Sequence, residues 1–119
     1  MTKDTHIPAA RLRLVLAPGV AIGPGKADLL DGIRETGSIA AAGRRMGMSY
    51  KRAWQLADAL NGYFGEPLIE ATKGGKTGGG AKLTKLGETV LRRYRRMEAA
   101  TAKAVSRDLA ALRRAAAKS

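Results

Sequence analysis

The stretch SIAAAGRRMGMSYKRAWQLADALNGY, residues 38–63, decides the fold. Ser38 and Ser49 each stand where a helix N-cap is expected, directly before a run with apolar residues at helical spacing. Gly47 breaks the first run, which leaves a turn of about three residues between the two. The stretch therefore predicts a helix-turn-helix with two helices, Ile39–Met46 and Tyr50 to about Tyr63.

The second helix is expected to bury one face and expose the other. Its apolar stripe consists of Ala53, Leu56, Ala57, Leu60 and Tyr63. The residues left over concentrate in its first two turns: Ser49, Tyr50, Lys51, Arg52 and Gln55. Trp54 is predicted to lie in the core, because so aromatic-poor a protein needs bulk on the inner face of this helix, and the alternative is a base-stacking role.

The exposed end of this helix has the chemistry to read bases in a DNA major groove. Lys51 and Arg52 can bond guanine, and Gln55 suits adenine. Arg52 is the better specificity candidate, since lysine offers only a point charge. Tyr50 can bond a phosphate or pack against a thymine methyl group. The alternative is a merely solvated basic helix face.

Four further residues are candidates for phosphate contact. Ser38 and Ser49 mark helix N-termini, whose N–H groups suit anions, although both serines can equally be caps and nothing more. Arg44 and Arg45, near the end of the first helix of the pair, can reach the DNA backbone. They can also simply complement the negative end of that helix.

The surrounding segments complete the fold prediction. A strand is expected over Leu12–Leu16, and a short helix between Gly25 and Gly37. Two short strands, at 68–72 and 81–83, form a hairpin. The fold class is thus mainly α with a small β wing: a winged helix-turn-helix with a long C-terminal helix.

The tip of that hairpin is rich in glycine and lysine. Glycines let a backbone approach a phosphate closely, and lysines neutralise it, so the tip supplies five more DNA-contact candidates: Lys73, Gly74, Gly75, Lys76 and Thr77. A nucleotide-hydrolase loop is excluded, because its pattern needs glycine where Glu70 stands and a helix where three glycines follow. Two alternative interpretations of the tip remain: a hairpin that contacts nothing, or a nest of N–H groups that binds an oxyanion.

The last helix is expected to begin after Thr84 and to extend to about residue 117. A seven-residue repeat indicates pairing with a second copy through Leu83, Leu86, Val90, Tyr94, Met97 and Ala104. The alternative is that its first half packs on the domain's own core and its end frays. The chain thus divides into a loose arm (1–10), the winged helix-turn-helix (11–83) and a dimerisation helix (84–119).

Composition limits the function. The 119 residues carry 22 Lys+Arg against 10 Asp+Glu, a formal charge of +12, which indicates a polyanionic partner. There is no cysteine and one histidine, His6, so thiolate or histidine metal sites and histidine triads are excluded. No enzymatic site and no cofactor are predicted. Without a membrane-length apolar run or a secretory signal, a cytoplasmic protein is expected.

Two motifs carry a resemblance to a known family. Residues 49–54 (SYKRAW), followed by Leu60-Asn61, and residues 70–84 (EATKGGKTGGGAKLT) resemble the DNA-binding half of ModE-type molybdate-responsive transcription regulators. The likeness extends upstream through Gly37–Ala42 and covers about residues 25–98. The helix-turn-helix alone would also suit LysR-type regulators.

The resemblance implies a homodimer on double-stranded, palindromic operator DNA, with the Ser-Tyr-Lys helix in the major groove and the wing beside it. Molybdate sensing is not implied, because the family's oxyanion-binding domain has no room in 119 residues. An architectural DNA-coating protein remains the alternative, since ten of the basic residues lie at or after Lys85. A membrane-surface helix is disfavoured by its weak apolar face.

Overall fold

A computed structural model describes residues 10–73 and 80–117. Its helices are α1 (Pro24–Thr36), α2 (Ile39–Arg45), α3 (Tyr50–Gly62), α4 (Lys85–Ala104) and α5 (Ser106–Ala117). Its strands form two antiparallel pairs: β1 (Leu14–Ala17) with β2 (Val20–Ile22), and β3 (Ile69–Thr72) with β4 (Gly80–Leu83). The predicted winged helix-turn-helix is confirmed.

Helices α1, α2 and α3 approach one another closely because glycine lies at both crossings. A Cβ atom on Gly32 of α1 would lie 2.8 Å from the Ala42 Cβ, and one on Gly43 of α2 would lie 2.7 Å from the Ala53 Cβ. Both distances are far below ordinary contact. The core around these crossings is built from fully buried aliphatic side chains: Leu29, Leu30, Ile33, Leu60, Leu68 and Leu91.

The predicted caps hold the helix-turn-helix in place. The Ser38 and Ser49 hydroxyls accept hydrogen bonds from the N–H groups of Ala41 and Arg52, each at 3.0 Å. Gly47 has a φ of +73°, which an L side chain adopts only with strain, so it allows the reversal between α2 and α3. The cap predictions are therefore confirmed.

The β3–β4 hairpin is fixed to the helical core at its base. Asn61, at the end of α3, donates from Nδ2 to the Ile69 carbonyl at 3.0 Å, and its Oδ1 accepts from the Leu68 and Ile69 N–H groups at 2.9 Å. On the other strand, the Ala81 N–H donates to the Gly37 carbonyl at 2.9 Å. The described part of the wing is therefore held against α3 and the α1–α2 loop.

The first strand differs from its prediction. The predicted Leu12–Leu16 strand begins instead at Leu14, and Leu16 is exposed, so the alternation does not correspond to a buried face beyond Leu14. Its partner β2 was missed, because three residues are too short for a periodic signal. Leu12 precedes the strand, and its carbonyl accepts a 2.6 Å hydrogen bond from the Tyr94 hydroxyl of α4.

The single C-terminal helix was also a wrong prediction. The helix ends at Ala104, and α5 begins at Ser106 after Val105. Val105 has φ −102° and ψ 5°, outside ideal helical values, and the Ser106 hydroxyl donates to the Lys103 carbonyl at 3.1 Å. A β-branched residue followed by a serine that bonds the backbone weakens the regular helical ladder at this point.

The predicted dimer seam is divided by the fold. Leu83 and Tyr94 are buried in the domain's own core, so neither has surface to offer a second copy. Leu86 and Val90 pack against the same core. Of the six predicted seam residues, only Met97, 40% exposed, and Ala104 lie on open surface.

Candidate nucleic-acid interface

The N-terminal end of α3 presents a polar surface away from the core. Ala53, Ala57 and Leu60 are buried on its inner face, as predicted. At about 100° per residue, Lys51 and Gln55 lie nearly opposite that face. Arg52 lies on one flank of the exposed surface and Tyr50 on the other, and all four side chains are exposed. The sequence-predicted contact residues of α3 thus share one accessible surface.

The cations of this surface are not neutralised. Four cations of this region form no salt bridge with a carboxylate of the described residues: Lys51 and Arg52 of α3, Arg44 of α2 and Lys73 after β3. All four are exposed. An unpaired cation keeps its full attraction for an anion from outside the chain. These residues therefore form a positive surface available to a polyanion.

Most acidic side chains of the described residues are occupied elsewhere. The guanidinium of Arg95 on α4 contacts Asp28 and Asp31 of α1, both at 2.7 Å, and Glu98 at 3.1 Å. Burial would lower the pKa of Arg95, but the hydrogen bonds to the carboxylates outweigh it and raise that pKa. Three acidic groups are thus gathered around Arg95 between α1 and α4, whereas Asp58, on α3 itself, is exposed and forms no salt bridge with a described residue.

Arg45 and Ser38 have local partners. The Arg45 guanidinium contacts the Glu35 carboxylate at 2.8 Å, so its charge is partly offset, whereas the neighbouring Arg44 lacks such a pair among the described residues. The Ser38 hydroxyl is engaged as a cap. The sequence alone does not distinguish the two arginines, because Glu35 lies ten residues away on another helix.

Trp54 corrects a prediction. It is 40% exposed rather than in the core, and its ring lies edge-on to Tyr50, with centroids 6.1 Å apart and planes at 68°. The inner face of α3 is formed by Ala53, Ala57 and Leu60, and residue 54 lies about 100° around the helix from Ala53. The indole therefore lies outside the core, on the flank that faces the hairpin.

Two lysines of the described part of the hairpin region differ in their pairing: one has no salt bridge among the described residues, and the other pairs with a glutamate. Lys73 is exposed, while Lys82 of β4 lies opposite Glu70 of β3 with 3.7 Å between the charged atoms. Four predicted contact residues, Gly74, Gly75, Lys76 and Thr77, lie outside the described residues. Their role in DNA contact stays a prediction from the sequence.

Neither a metal-binding cluster nor a membrane-spanning helix is found in the described part of the chain. Within residues 10–73 and 80–117, no group of three or more His, Cys, Asp and Glu side chains is placed to hold a metal ion. No helix over those residues has both the length and the apolarity to span a bilayer. Burial raises the pKa of the Tyr94 hydroxyl, which serves as a structural donor to Leu12.

Comparison with curated proteins finds relatives concerned with molybdenum. The chain is 44% identical over 88 residues to the molybdenum-pterin-binding protein MopB of Rhodobacter capsulatus, covering 74% of this chain and 33% of that protein. It is 36% identical over 83 residues to the DNA-binding transcriptional dual regulator ModE of Escherichia coli K12, covering 70% and 32%. The chain spans about a third of the length of these relatives.

A solved structure supports the same architecture. The fold matches the crystal structure of a complex between the CbnR DNA-binding domain and DNA, with a TM-score of 0.60 and 25% identity over 74% of this chain and 95% of that one. Residues 27–88, which run from α1 through the hairpin into α4, match a family described as bacterial regulatory helix-turn-helix proteins of the lysR family. The chain belongs to this family of helix-turn-helix regulators, and its relatives include ModE-type proteins.

Proposed function

We propose that this chain is a transcription regulator of the ModE-like type that binds operator DNA as a homodimer in the cytoplasm and has no enzymatic activity of its own. The observation that carries the proposal is the set of unpaired, exposed side chains at the N-terminal end of α3, beside the hairpin. In helix-turn-helix proteins this end of the second helix meets the base edges of the major groove.

The residues of α3 divide into reading and anchoring roles. Lys51 and Gln55, at the centre of the exposed face, and Arg52 on its flank are assigned to bases. Each well-made bidentate contact discriminates by about 1–3 kcal/mol. Tyr50 is assigned to the DNA backbone or a thymine methyl group.

Phosphate anchoring is assigned to the positions around this helix. Arg44 and Lys73 are exposed and lack ion pairs among the described residues, so both can neutralise phosphates. Arg45 contributes less, because Glu35 offsets its charge. The N-terminus of α3 at Ser49 adds oriented N–H groups, and the tip residues at 74–77 are assigned the same role from the sequence.

The end of α4 and the whole of α5 are assigned to dimerisation. Met97 is 40% exposed and Leu112 67% exposed, and neither packs against the domain's buried core. A second copy would cover these side chains and bring two α3 helices to the two halves of a palindrome.

A link to molybdenum rests on the relatives rather than on any site. Their names connect those proteins with molybdenum-pterin binding, molybdenum transport and transcriptional regulation. We assign this chain to the regulation of genes of molybdenum metabolism, with no cofactor of its own. Promoter fusions to molybdenum-transport genes, compared with and without the protein, test this assignment separately from DNA binding.

The central test is selection of bound duplexes from a random pool, followed by shift assays at fixed salt. A conserved palindrome with half-sites about one helical turn apart is expected, and equal affinity for every sequence would defeat the proposal. Arg52→Ala should relax the base preference, whereas Lys73→Ala should weaken all duplexes alike and flatten the salt dependence. Identical behaviour of the two variants would contradict the division of roles.

A further inference from the structure

A shallow groove runs along the hairpin-facing flank of α3. One wall is formed by Tyr50 and Trp54, another by Ala71 of β3 and by Gly80 and Ala81 of β4, and its volume is about 310 Å³. The start of α2, at Ser38, Ile39 and Ala40, completes the lining. We call this the aromatic groove. Apart from Tyr50, Trp54 and Ile39, its lining side chains are small, which leaves space for a chain-like ligand lying along it.

The walls of the aromatic groove are held in place by backbone contacts. The Ala81 N–H bonds the Gly37 carbonyl at 2.9 Å, which fixes β4 against the α1–α2 loop. A side chain at Gly80 would meet Thr72 Oγ1 at 2.7 Å and the same carbonyl at 3.0 Å. Together with the Asn61 hydrogen bonds that join α3 to Leu68 and Ile69, these contacts set the spacing between the hairpin and α3 without a ligand.

The indole in this groove is not part of the buried core. Tryptophan is highly buried on average, yet Trp54 is 40% exposed and Tyr50 62% exposed. Exposed aromatic side chains next to unpaired cations are typical of binding surfaces. Lys51 follows Tyr50 on α3, and Lys73 lies two residues after Ala71, so an unpaired cation lies close in sequence to each wall.

We infer that the aromatic groove receives one strand of the bound DNA, with Trp54 packed against its apolar edge. This inference rests on the proposed function. With α3 in the major groove and the hairpin beside the backbone, a strand passing between them presents deoxyribose faces and thymine methyl groups to the indole. Trp54 is then a contact residue that distinguishes DNA sequences by the shape of the strand and by thymine methyl groups, rather than by hydrogen bonds to bases.

Asp58 sets the limit of the strand's path. Its carboxylate lies one turn beyond Trp54, in the inward continuation of the groove that also reaches Asn61 and Ile69. It forms no salt bridge with a described residue, so it repels phosphates there. The DNA strand is therefore confined to the outer part of the groove, between Tyr50 and Lys73.

Trp54 is the protein's one tryptophan, so its emission reports on this groove alone. The full chain is titrated with a duplex selected from the random pool, and binding is followed independently by the anisotropy of a dye on the DNA. At saturation, acrylamide quenching of Trp54 should fall several-fold. Trp54→Ala should weaken binding about tenfold, or about 1.4 kcal/mol, at a temperature where circular dichroism shows the variant to be folded. Val15→Ala, which removes an apolar group that is even more exposed, at 63%, from β1, should bind as the wild type does.

The outcomes separate the two proposals. Anisotropy that shows specific binding, with quenching unchanged and Trp54→Ala at wild-type affinity, overturns the inference and leaves the proposed function standing. Absence of binding to any duplex overturns the proposed function itself. Protection of Trp54 that rises with protein concentration without DNA assigns the groove to a second copy and also overturns the inference.

A modified duplex identifies the edge that is contacted. Replacing thymine by uracil removes the methyl group and keeps the sugar. If this weakens binding of the wild type but not of Trp54→Ala, the contact is to the methyl group. If it leaves both affinities unchanged while Trp54→Ala remains weaker, the contact is to deoxyribose. Either result supports the inference.

Discussion

Helices α3 and α5 are similar in length and both carry exposed basic side chains, yet they are held in different ways. Helix α3 buries Ala53, Ala57 and Leu60 against its own domain, and Asn61 ties its end to the hairpin. Helix α5 buries no residue over its described length, 106–117, and Leu112 is 67% exposed. The surface that we propose to contact DNA thus stands on a rigid support, whereas the C-terminal helix gains no such support from buried residues of its own.

The largest expected change in the free energy of unfolding comes from the attachment of α3 to the hairpin. Asn61→Ala should lower the free energy of unfolding by about 2–4 kcal/mol, because it leaves part-buried backbone groups of Leu68 and Ile69 without partners. Urea denaturation followed by circular dichroism measures the change. Asp58→Ala, on the same helix but exposed and without a salt bridge in the described residues, is the matched control and should be nearly neutral. Equal losses in both variants would refute the anchoring role.

The glycine crossing beneath α3 gives the next largest effect. Gly43→Ala places a methyl group 2.7 Å from the Ala53 Cβ, and overpacking of this kind outweighs the helix preference of alanine. A net loss of about 1–2 kcal/mol is expected in the same denaturation assay. Gly62→Ala, whose added methyl meets nothing within 4 Å, should be neutral or slightly stabilising. A neutral Gly43→Ala would mean that the crossing relaxes freely.

The contact between Tyr94 and Leu12 tests how far this rigid support extends into α4. Tyr94→Phe removes a 2.6 Å hydrogen bond and should cost about 1 kcal/mol at neutral pH. Burial raises the pKa of the Tyr94 hydroxyl. The stability that the protonated hydroxyl adds to the fold is therefore fully present below the ordinary tyrosine pKa of about 10, and it is lost as the pH rises through the raised pKa.

Stability curves between about pH 8 and about pH 11 measure this effect. The gap between wild type and Tyr94→Phe should narrow on the alkaline side, while Tyr50→Phe, at an exposed ring, should run parallel to the wild type. Parallel curves for Tyr94→Phe as well would show that the hydroxyl titrates as it does in the unfolded chain.

The same contrast explains what the sequence could and could not predict. Caps act over three residues, so Ser38, Ser49 and Thr84 placed three helix starts correctly, with the Thr84 hydroxyl accepting from the Gly87 N–H at 3.0 Å. The glycine-rich hairpin and the exposed face of α3 also follow from local patterns. These features were predictable because each depends on neighbouring residues alone.

The errors have two sources. For Trp54, hydrophobicity alone assigned the indole to the core, although residue 54 lies about 100° around the helix from Ala53 on the buried face. For the C-terminal helix, a seven-residue repeat cannot tell a partner's core from the domain's own, so Leu83 and Tyr94 were assigned to a dimer seam. Helical spacing identifies a buried face but not what buries it.

The smallest effect on the protomer is expected at α5, where Leu112→Gln should change the free energy of unfolding by less than about 0.5 kcal/mol at low protein concentration. The side chain is 67% exposed, so the protomer loses almost no buried area. If a second copy covers Leu112, the wild-type denaturation midpoint rises with protein concentration, and the variant loses much of that dependence. Arg107→Gln, on the same helix, should keep it. A concentration-independent midpoint in the wild type would mean that α5 has no partner copy. If Leu112→Gln at low concentration lost as much free energy of unfolding as Gly43→Ala, α5 would instead belong to the rigid part of the protomer.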